Sequence, residues 1–190
     1  MTTNNLIGIL AAAGNSSRFG SNKLLHPLAD GTPMAVKSGQ NLLIAVTTSI
    51  AVIRPDALKL DKLLTTVGLT TVINPQPDRG IGSSISQAVQ ISTDATGWII
   101  ALADMPFIKS ETIKQLVHNL EQGAAICAPF YQGKRGHPVG FSREFHEALL
   151  NLDSDQGASI FLKNYADKIT RFTTTDEMVV RDIDYPYMLN

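Results

Sequence analysis

The stretch Leu6-Ile7-Gly8-Ile9-Leu10-Ala11-Ala12-Ala13-Gly14-Asn15-Ser16-Ser17-Arg18-Phe19-Gly20-Ser21-Asn22-Lys23 decides how the chain is read. Residues 6–12 carry no polar side chain, the pattern of a strand buried on both faces of a sheet. A polar loop follows, with glycines at 14 and 20 that let the backbone turn tightly and approach a ligand closely. Unpaired N–H groups in such a loop form a nest for an anion. Arg18 and Lys23 add positive charge: a guanidinium fork grips two phosphate oxygens, and an ammonium acts as a compact point charge. The loop lacks both the adjacent Gly-Lys-Ser/Thr of a P-loop and the Gly-x-Gly-x-x-Gly of a dinucleotide fold. It reads as a phosphate loop of another kind, with Ala12, Ala13, Gly14, Ser16, Arg18 and Lys23 as its candidate contacts.

Outward from this stretch, strand-length apolar runs at 49–53, 70–73, 98–103 and 124–129 alternate with helical patterns at 34–45, 57–64, 83–91, 110–122, 144–150 and 158–164. Such alternation predicts an α/β fold, a Rossmann-like three-layer sandwich with a mostly parallel sheet. Two late runs, 169–173 and 179–183, are expected to add edge strands. In 110–122, Ser110 is the expected cap, Ile113, Leu116, Val117 and Leu120 share one face, and Gly123 is the stop. A length of 190 residues suits one domain over 1–190.

Sixteen lysines and arginines against seventeen aspartates and glutamates leave a formal charge of −1. Such a balance makes no broad positive field, so neither nucleic acid nor an anionic membrane is an expected partner. A few placed cations suit a small phosphorylated substrate instead. The start of the chain has no basic segment, and no run approaches the roughly 20 apolar residues of a membrane helix, so a cytoplasmic location is expected. With Cys127 as the lone cysteine, an intrachain disulfide and a cysteine-based metal cluster are excluded.

Asp104 follows the run 98–103 directly, and Pro106 keeps that strand from continuing. Its carboxylate is expected to project beyond the strand end, into the cleft that the phosphate loop borders. Magnesium takes one or two carboxylates together with substrate phosphates and water, so Asp104 is a candidate metal ligand. Gly80-Ile81-Gly82-Ser83-Ser84 opens a helical pattern and offers both N–H groups and hydroxyls. An ordinary serine-capped helix start stays open as a reading there.

These segments resemble, in order and over nearly the whole chain, the nucleotidyltransferase superfamily and within it the molybdenum cofactor cytidylyltransferases. The matching features are Gly-x-Ser-x-Arg-x-Gly-x-x-Lys at 14–23, Gly80 to Ile85, Leu102-Ala103-Asp104-Met105-Pro106, Arg135-Gly136-His137-Pro138-Val139 and Asp182-Ile183-Asp184. The resemblance implies a nucleotide-diphospho-sugar transferase-like fold and transfer of CMP from CTP to the phosphate of molybdopterin. It implies Mg2+, with Mn2+ as an alternative, held by Asp104 and Asp184. Asn74, Gly80, Gly82, Ser83 and Ser84 would hold the base and ribose. Arg135, His137, Asp155 and Gly157 would face the acceptor, although Ser159 stands where many relatives carry arginine. A molybdoenzyme or maturation protein is the implied partner.

In that chemistry Lys23 would contact the α-phosphate and Arg18 the β- and γ-phosphates, making Lys23, Arg18 and Asp104 the catalytic set. The attacking phosphate monoester has a second pKa near 6 and is already dianionic at neutral pH, so no general base is needed. His137 is accordingly expected to position the acceptor. Other readings stay open: another phosphorylated acceptor such as a sugar phosphate, guanylyl transfer, or an accessory protein that binds nucleotide without turnover. Leu10-Ala11-Ala12-Ala13-Gly14 resembles the cytidylyl branch more than the guanylyl branch, in which a further glycine follows the alanine.

Overall fold

Side chains alternate along each central strand, and here both alternating sets are apolar, so the sheet must be covered on both faces. A computed structural model describes residues 5–14, 22–153, 155 and 157–183. In β1 (Leu6–Ala12), Ile7 and Ile9 enter one core while Leu10 and Ala12 enter the other. In β2 (Ser49–Ile53), Ile50 and Val52 oppose Ala51 and Ile53, and in β4 (Gly97–Leu102), Trp98 and Ile100 oppose Ile99 and Ala101. One core is closed by α1 (Met34–Ala45), α2 (Leu58–Thr66) and α4 (Ser110–Glu121), through Ala35, Leu42, Leu60, Leu64, Ile113 and Leu116. The other is closed by α3 (Ile81–Gln90), α5 (His146–Leu150) and α6 (Ser159–Asn164), through Ile85, Ala88, Val89, Leu149 and Leu162.

Among the described residues eight strands form one sheet in the order β3-β2-β1-β4-β7-β5-β6, with β8 also on β5. β3 (Thr70–Ile73), β2, β1 and β4 are mutually parallel, and β8 (Ile169–Thr173) is parallel to β5 (Ile126–Tyr131). The mostly parallel α/β expectation holds, and 34–45, 49–53, 70–73 and 169–173 have the expected bounds. No helix among the described residues is long and apolar enough to cross a membrane.

Two local expectations are corrected, and two short strands are added that the sequence did not mark. β6 (Lys134–Arg135) and β7 (Val139–Ser142) pair antiparallel with β5, and β7 also lies antiparallel on β4. Residues 177–180 form a 3-10 turn, not an edge strand, because Asp176 Oδ1 accepts from Met178 N at 3.2 Å and coils the chain there. Ser110 does not cap α4. Lys109 occupies the cap position, and the buried Asp176 carboxylate accepts its N–H at 2.8 Å and the Thr112 hydroxyl at 3.0 Å. A full negative charge complements a helix N-terminus better than a hydroxyl does.

Candidate active site

The carboxyl ends of the parallel strands make one rim, along which the chain leaves β3 at Asn74, β2 at Arg54, β1 at Ala13 and β4 at Ala103. β7 runs the other way, with Val139 opposite Ile100, so the 135–138 segment reaches the same rim beyond β4. Residues distant in sequence are therefore set side by side at strand spacing, about 4.8 Å per step.

At the centre of the rim, β1 and β4 are adjacent, with Ala11 opposite Leu102 and Ala103 N donating to Ala11 O at 3.1 Å. Lys23 opens a 3-10 turn (Lys23–Leu25) whose Leu24 is buried in the core. Its Nζ lies 2.9 Å from Asp104 Oδ2, with side-chain exposures of 9% for the lysine and 28% for the aspartate. Lys23 and the end of the central strand thus face the same cleft. Ser16 and Arg18 lie outside the described residues, as does Asp184. Its neighbour Ile183 donates N–H to Asp104 O at 3.1 Å, which brings the late segment to the same point.

As a metal centre this arrangement offers one described carboxylate, and no group of three or more metal-ligating side chains occurs among the described residues. Asp104 Oδ1 takes no hydrogen bond from them. That donor set fits a magnesium-like ion, which needs few protein ligands because phosphates and waters complete its shell. It would not suit zinc, which prefers several nitrogen or sulfur ligands.

Toward β3 the polar groups are engaged with one another. Asn74, 1% exposed, donates from Nδ2 to the hydroxyls of Ser83 at 2.8 Å and Ser84 at 3.0 Å, while its Oδ1 accepts from Gln76 N at 2.9 Å. Ser83 Oγ donates onward to Gly80 O at 2.8 Å. These hydroxyls hold the turn before α3 in shape, and the α3 N-terminus has no side-chain cap, so its first N–H groups are what it offers a ligand. Gly80 has φ +93°, and a Cβ there would meet the backbone of Asp155 at 2.6 Å. Gly157, at φ +50°, packs on Ile81. Segments the sequence reading gave to different substrates therefore interlock through their glycines.

Arg79 pairs with Asp153 across the same contact. A cavity of about 450 Å³ opens beside them, lined in part by Asn74, Gln76, Ser86 and Gln87.

On the far side of β4, His137 N donates to Val179 O at 2.8 Å, and Gly136 lies so close to Val179 that a Cβ would meet its carbonyl at 2.6 Å. Burial pushes the His137 imidazole down to a pKa of about 4, and the Arg135 guanidinium adds to this, with Asp182 opposing. The ring is neutral at pH 7. Burial also lowers the pKa of Arg135. Arg135 Nη1 and His137 Nδ1 are buried without hydrogen-bond partners among the described residues. Cys127 is buried, and its thiol is pushed up to about 12, which makes it inert.

Sequence reading missed Arg54, Arg79, Asp153 and Asp176. Arg54 carried a usable signal, a charged residue directly after the fully buried strand β2, which is the same position that singled out Asp104. Asp176 carried none, since its partners lie 64 and 67 residues away.

A search among known proteins adds the lineage. A probable molybdenum cofactor guanylyltransferase of Thermococcus sibiricus (strain DSM 12597 / MM 739) is 25% identical over 150 residues, covering 76% of this chain and 72% of that protein. The purine catabolism protein PucB of Bacillus subtilis (strain 168) is 27% identical over 177 residues, covering 84% and 81%. The solved structure of Rv0371c from Mycobacterium tuberculosis H37Rv shares the fold, with TM-score 0.81 at 22% identity over 97% of this chain and 95% of that one. Its manganese complex gives TM-score 0.73 at 20% identity over 90% and 88%. Residues 8–169 match the MobA-like NTP transferase domain, and the chain belongs to that family of nucleotidyltransferases.

Proposed function

We propose that this nucleotidyltransferase moves CMP from CTP onto the terminal phosphate of molybdopterin or the molybdenum cofactor, releasing pyrophosphate. The observation that carries the reading is the Lys23 Nζ to Asp104 Oδ2 pair, 2.9 Å apart at the middle of the rim. It puts a buried ammonium and a metal-competent carboxylate where a triphosphate would cross from the Asn74 side to the Arg135 side.

An ammonium has three donors, so Lys23 can hold Asp104 and a phosphate oxygen from one position. In that position it stabilises charge on the α-phosphate as the acceptor oxygen attacks in line and the bond to the pyrophosphate oxygen breaks. Arg18 is assigned to the leaving β- and γ-phosphates. Asp104 with Asp184 would hold Mg2+ or Mn2+, which supplies Lewis-acid stabilisation of the phosphates when bound.

The N–H groups at the start of α3, with the turn shaped by Asn74, Gly80, Gly82, Ser83 and Ser84, are assigned to the nucleoside. Ala12, Ala13, Gly14 and Ser16 are assigned to the phosphates. His137 is neutral at neutral pH and pairs with Arg135 as the acceptor-positioning group, since the dianionic acceptor needs no base. Asp155 and Gly157 belong to the acceptor side and brace the nucleoside turn.

A specific observation favours GMP transfer from GTP as the second reading: the Thermococcus sibiricus relative is named as a probable guanylyltransferase. The Ala11-Ala12-Ala13 run favours CTP. Pyrophosphate release, measured with each of CTP, GTP, UTP and ATP plus Mg2+ and a molybdopterin acceptor, separates them. CTP-dependent release is expected, GTP-dependent release selects the second reading, and no release with any pairing sinks both.

A further inference from the structure

Arg54 has no place in the catalytic assignment, yet it stands on the same rim. It follows β2 directly, one strand from β1 and two from β4, so about 10 Å of sheet separates it from Lys23 and Asp104. Asn74 N donates to Ile53 O at 2.9 Å, which ties the β3 exit to the β2 exit beside Arg54. The guanidinium turns toward the 77–79 turn that leads into Gly80. Its Nη1 donates to Asp78 Oδ1 at 3.2 Å, and its Nε lies 3.7 Å from Asp56 Oδ1. Its side chain is 29% exposed, whereas those of Asp56 and Asp78 are 85% and 80% exposed.

Pairs with partners so exposed contribute little to stability, so folding alone does not account for a half-buried arginine there. Two flanking carboxylates also make the spot unfavourable for a phosphate, although a neutral group is accepted. Arg54 Nη2 has no hydrogen-bond partner among the described residues. A triphosphate laid on Lys23 and Asp104 with its nucleoside toward α3 carries its base into this region.

We propose that Arg54 is the specificity-determining residue for the base, reading an edge with two adjacent hydrogen-bond acceptors. A guanidinium is all donors, so it matches O2 and N3 of cytosine or O6 and N7 of guanine in bidentate fashion. Adenine sets an amino donor beside N7, and uracil sets an N–H between its carbonyls, so both leave a donor facing a donor. The Asp78 hydrogen bond orients the fork and the two flanking carboxylates offset its charge, which leaves geometry as the discriminating feature. The inference rests on the nucleotidyltransferase reading and sharpens it by excluding ATP and UTP.

The test is calorimetric binding of CTP, GTP, ATP and UTP with Mg2+ to the wild-type chain, Arg54→Lys, Arg54→Ala and the control Arg79→Ala. Wild type is expected to favour CTP or GTP over ATP and UTP. Arg54→Lys keeps the charge but loses the fork, and it is expected to erase that preference by roughly 5- to 150-fold, the worth of one bidentate pair. Arg79→Ala is expected to leave it intact. Triphosphate binding with an unchanged ratio in Arg54→Lys overturns the proposal and spares the enzyme reading, whereas a wild-type preference for ATP or UTP overturns the proposal together with the CTP and GTP readings. Failure of every triphosphate to bind wild type sinks the enzyme reading and this proposal with it.

Discussion

On the β3-β2-β1-β4 side of the rim, polar side chains meet one another: Lys23 meets Asp104, Asn74 meets Ser83 and Ser84, and Arg54 meets Asp78. Beyond β4 the pattern reverses, because Arg135 Nη1 and His137 Nδ1 are buried with no hydrogen-bond partner among the described residues. A buried unpaired polar atom costs about 1–3 kcal/mol, and among the described residues these two lie close together at the rim, whereas Asn119 Nδ2 in α4 and His146 Nε2 in α5 are scattered away from it. The contrast teaches a division of labour. One half of the rim is assembled by folding, with its polar groups matched to one another, and under the proposed function it receives the nucleotide. The other half holds unmatched groups, whose cost would be offset by an anionic acceptor under the proposed function.

The strongest way to break this comparison is to disable the finished half. Lys23→Ala is expected to lower the rate of pyrophosphate release by roughly 10²- to 10³-fold, as removal of a placed electrostatic donor does. Asp104→Asn is expected to lose at least as much, and raising the Mg2+ concentration should recover part of it. Near-normal turnover in Lys23→Ala would show that the rim's centre is not where the charge develops.

A smaller pair of variants separates the halves by stability. Asn74→Ala removes the donor to two serine hydroxyls and strands the Gln76 N–H, and it is expected to cost about 1–3 kcal/mol. For a chain of this length that is a fall of roughly 2–4 °C in Tm per kcal/mol. Arg135→Met should leave Tm near the wild-type value or raise it, because it replaces a desolvated, incompletely paired charge with an apolar side chain of similar length. Equal losses in the two variants would erase the distinction between the halves.

The same division governs what the sequence revealed. Asp104 was legible because it sits just past a strand end and Lys23 because it closes the polar loop that leaves the neighbouring strand, and parallel strands carry their ends to one rim. The strands β1, β2 and β4 were legible because both of their faces are apolar. β6 and β7 were not. They are two and four residues long, and Gly136, Pro138 and Gly140 interrupt any alternation between and within them. The pairing of Asp176 with Lys109 and Thr112 was invisible because it is made by the fold and not by the neighbourhood in the chain. Local pattern failed where short antiparallel pieces and long-range polar contacts build the part of the sheet beyond β4.

The smallest expected effect is also the most specific to that side. His137 is held at a pKa of about 4, below its ordinary 6.5, chiefly by burial and then by the Arg135 charge. A depressed histidine gives stability that is complete above the unfolded pKa and is lost as pH falls, since the unfolded chain takes up the proton first. Stability should therefore decline from about pH 6.5 toward pH 4 and level off below, with a fall of about 1 kcal/mol between pH 7.5 and 6. Denaturant midpoints across this range check the slope, and His137→Gln should flatten it. Arg135→Met removes the second cause of the shift, so it should move the folded pKa upward and shrink the slope without abolishing it. Inorganic phosphate seated against both groups would favour the protonated imidazole and narrow the window further. If phosphate leaves the pH dependence of wild type untouched, the two unmatched atoms do not mark an anion site, and the contrast between the halves reduces to packing.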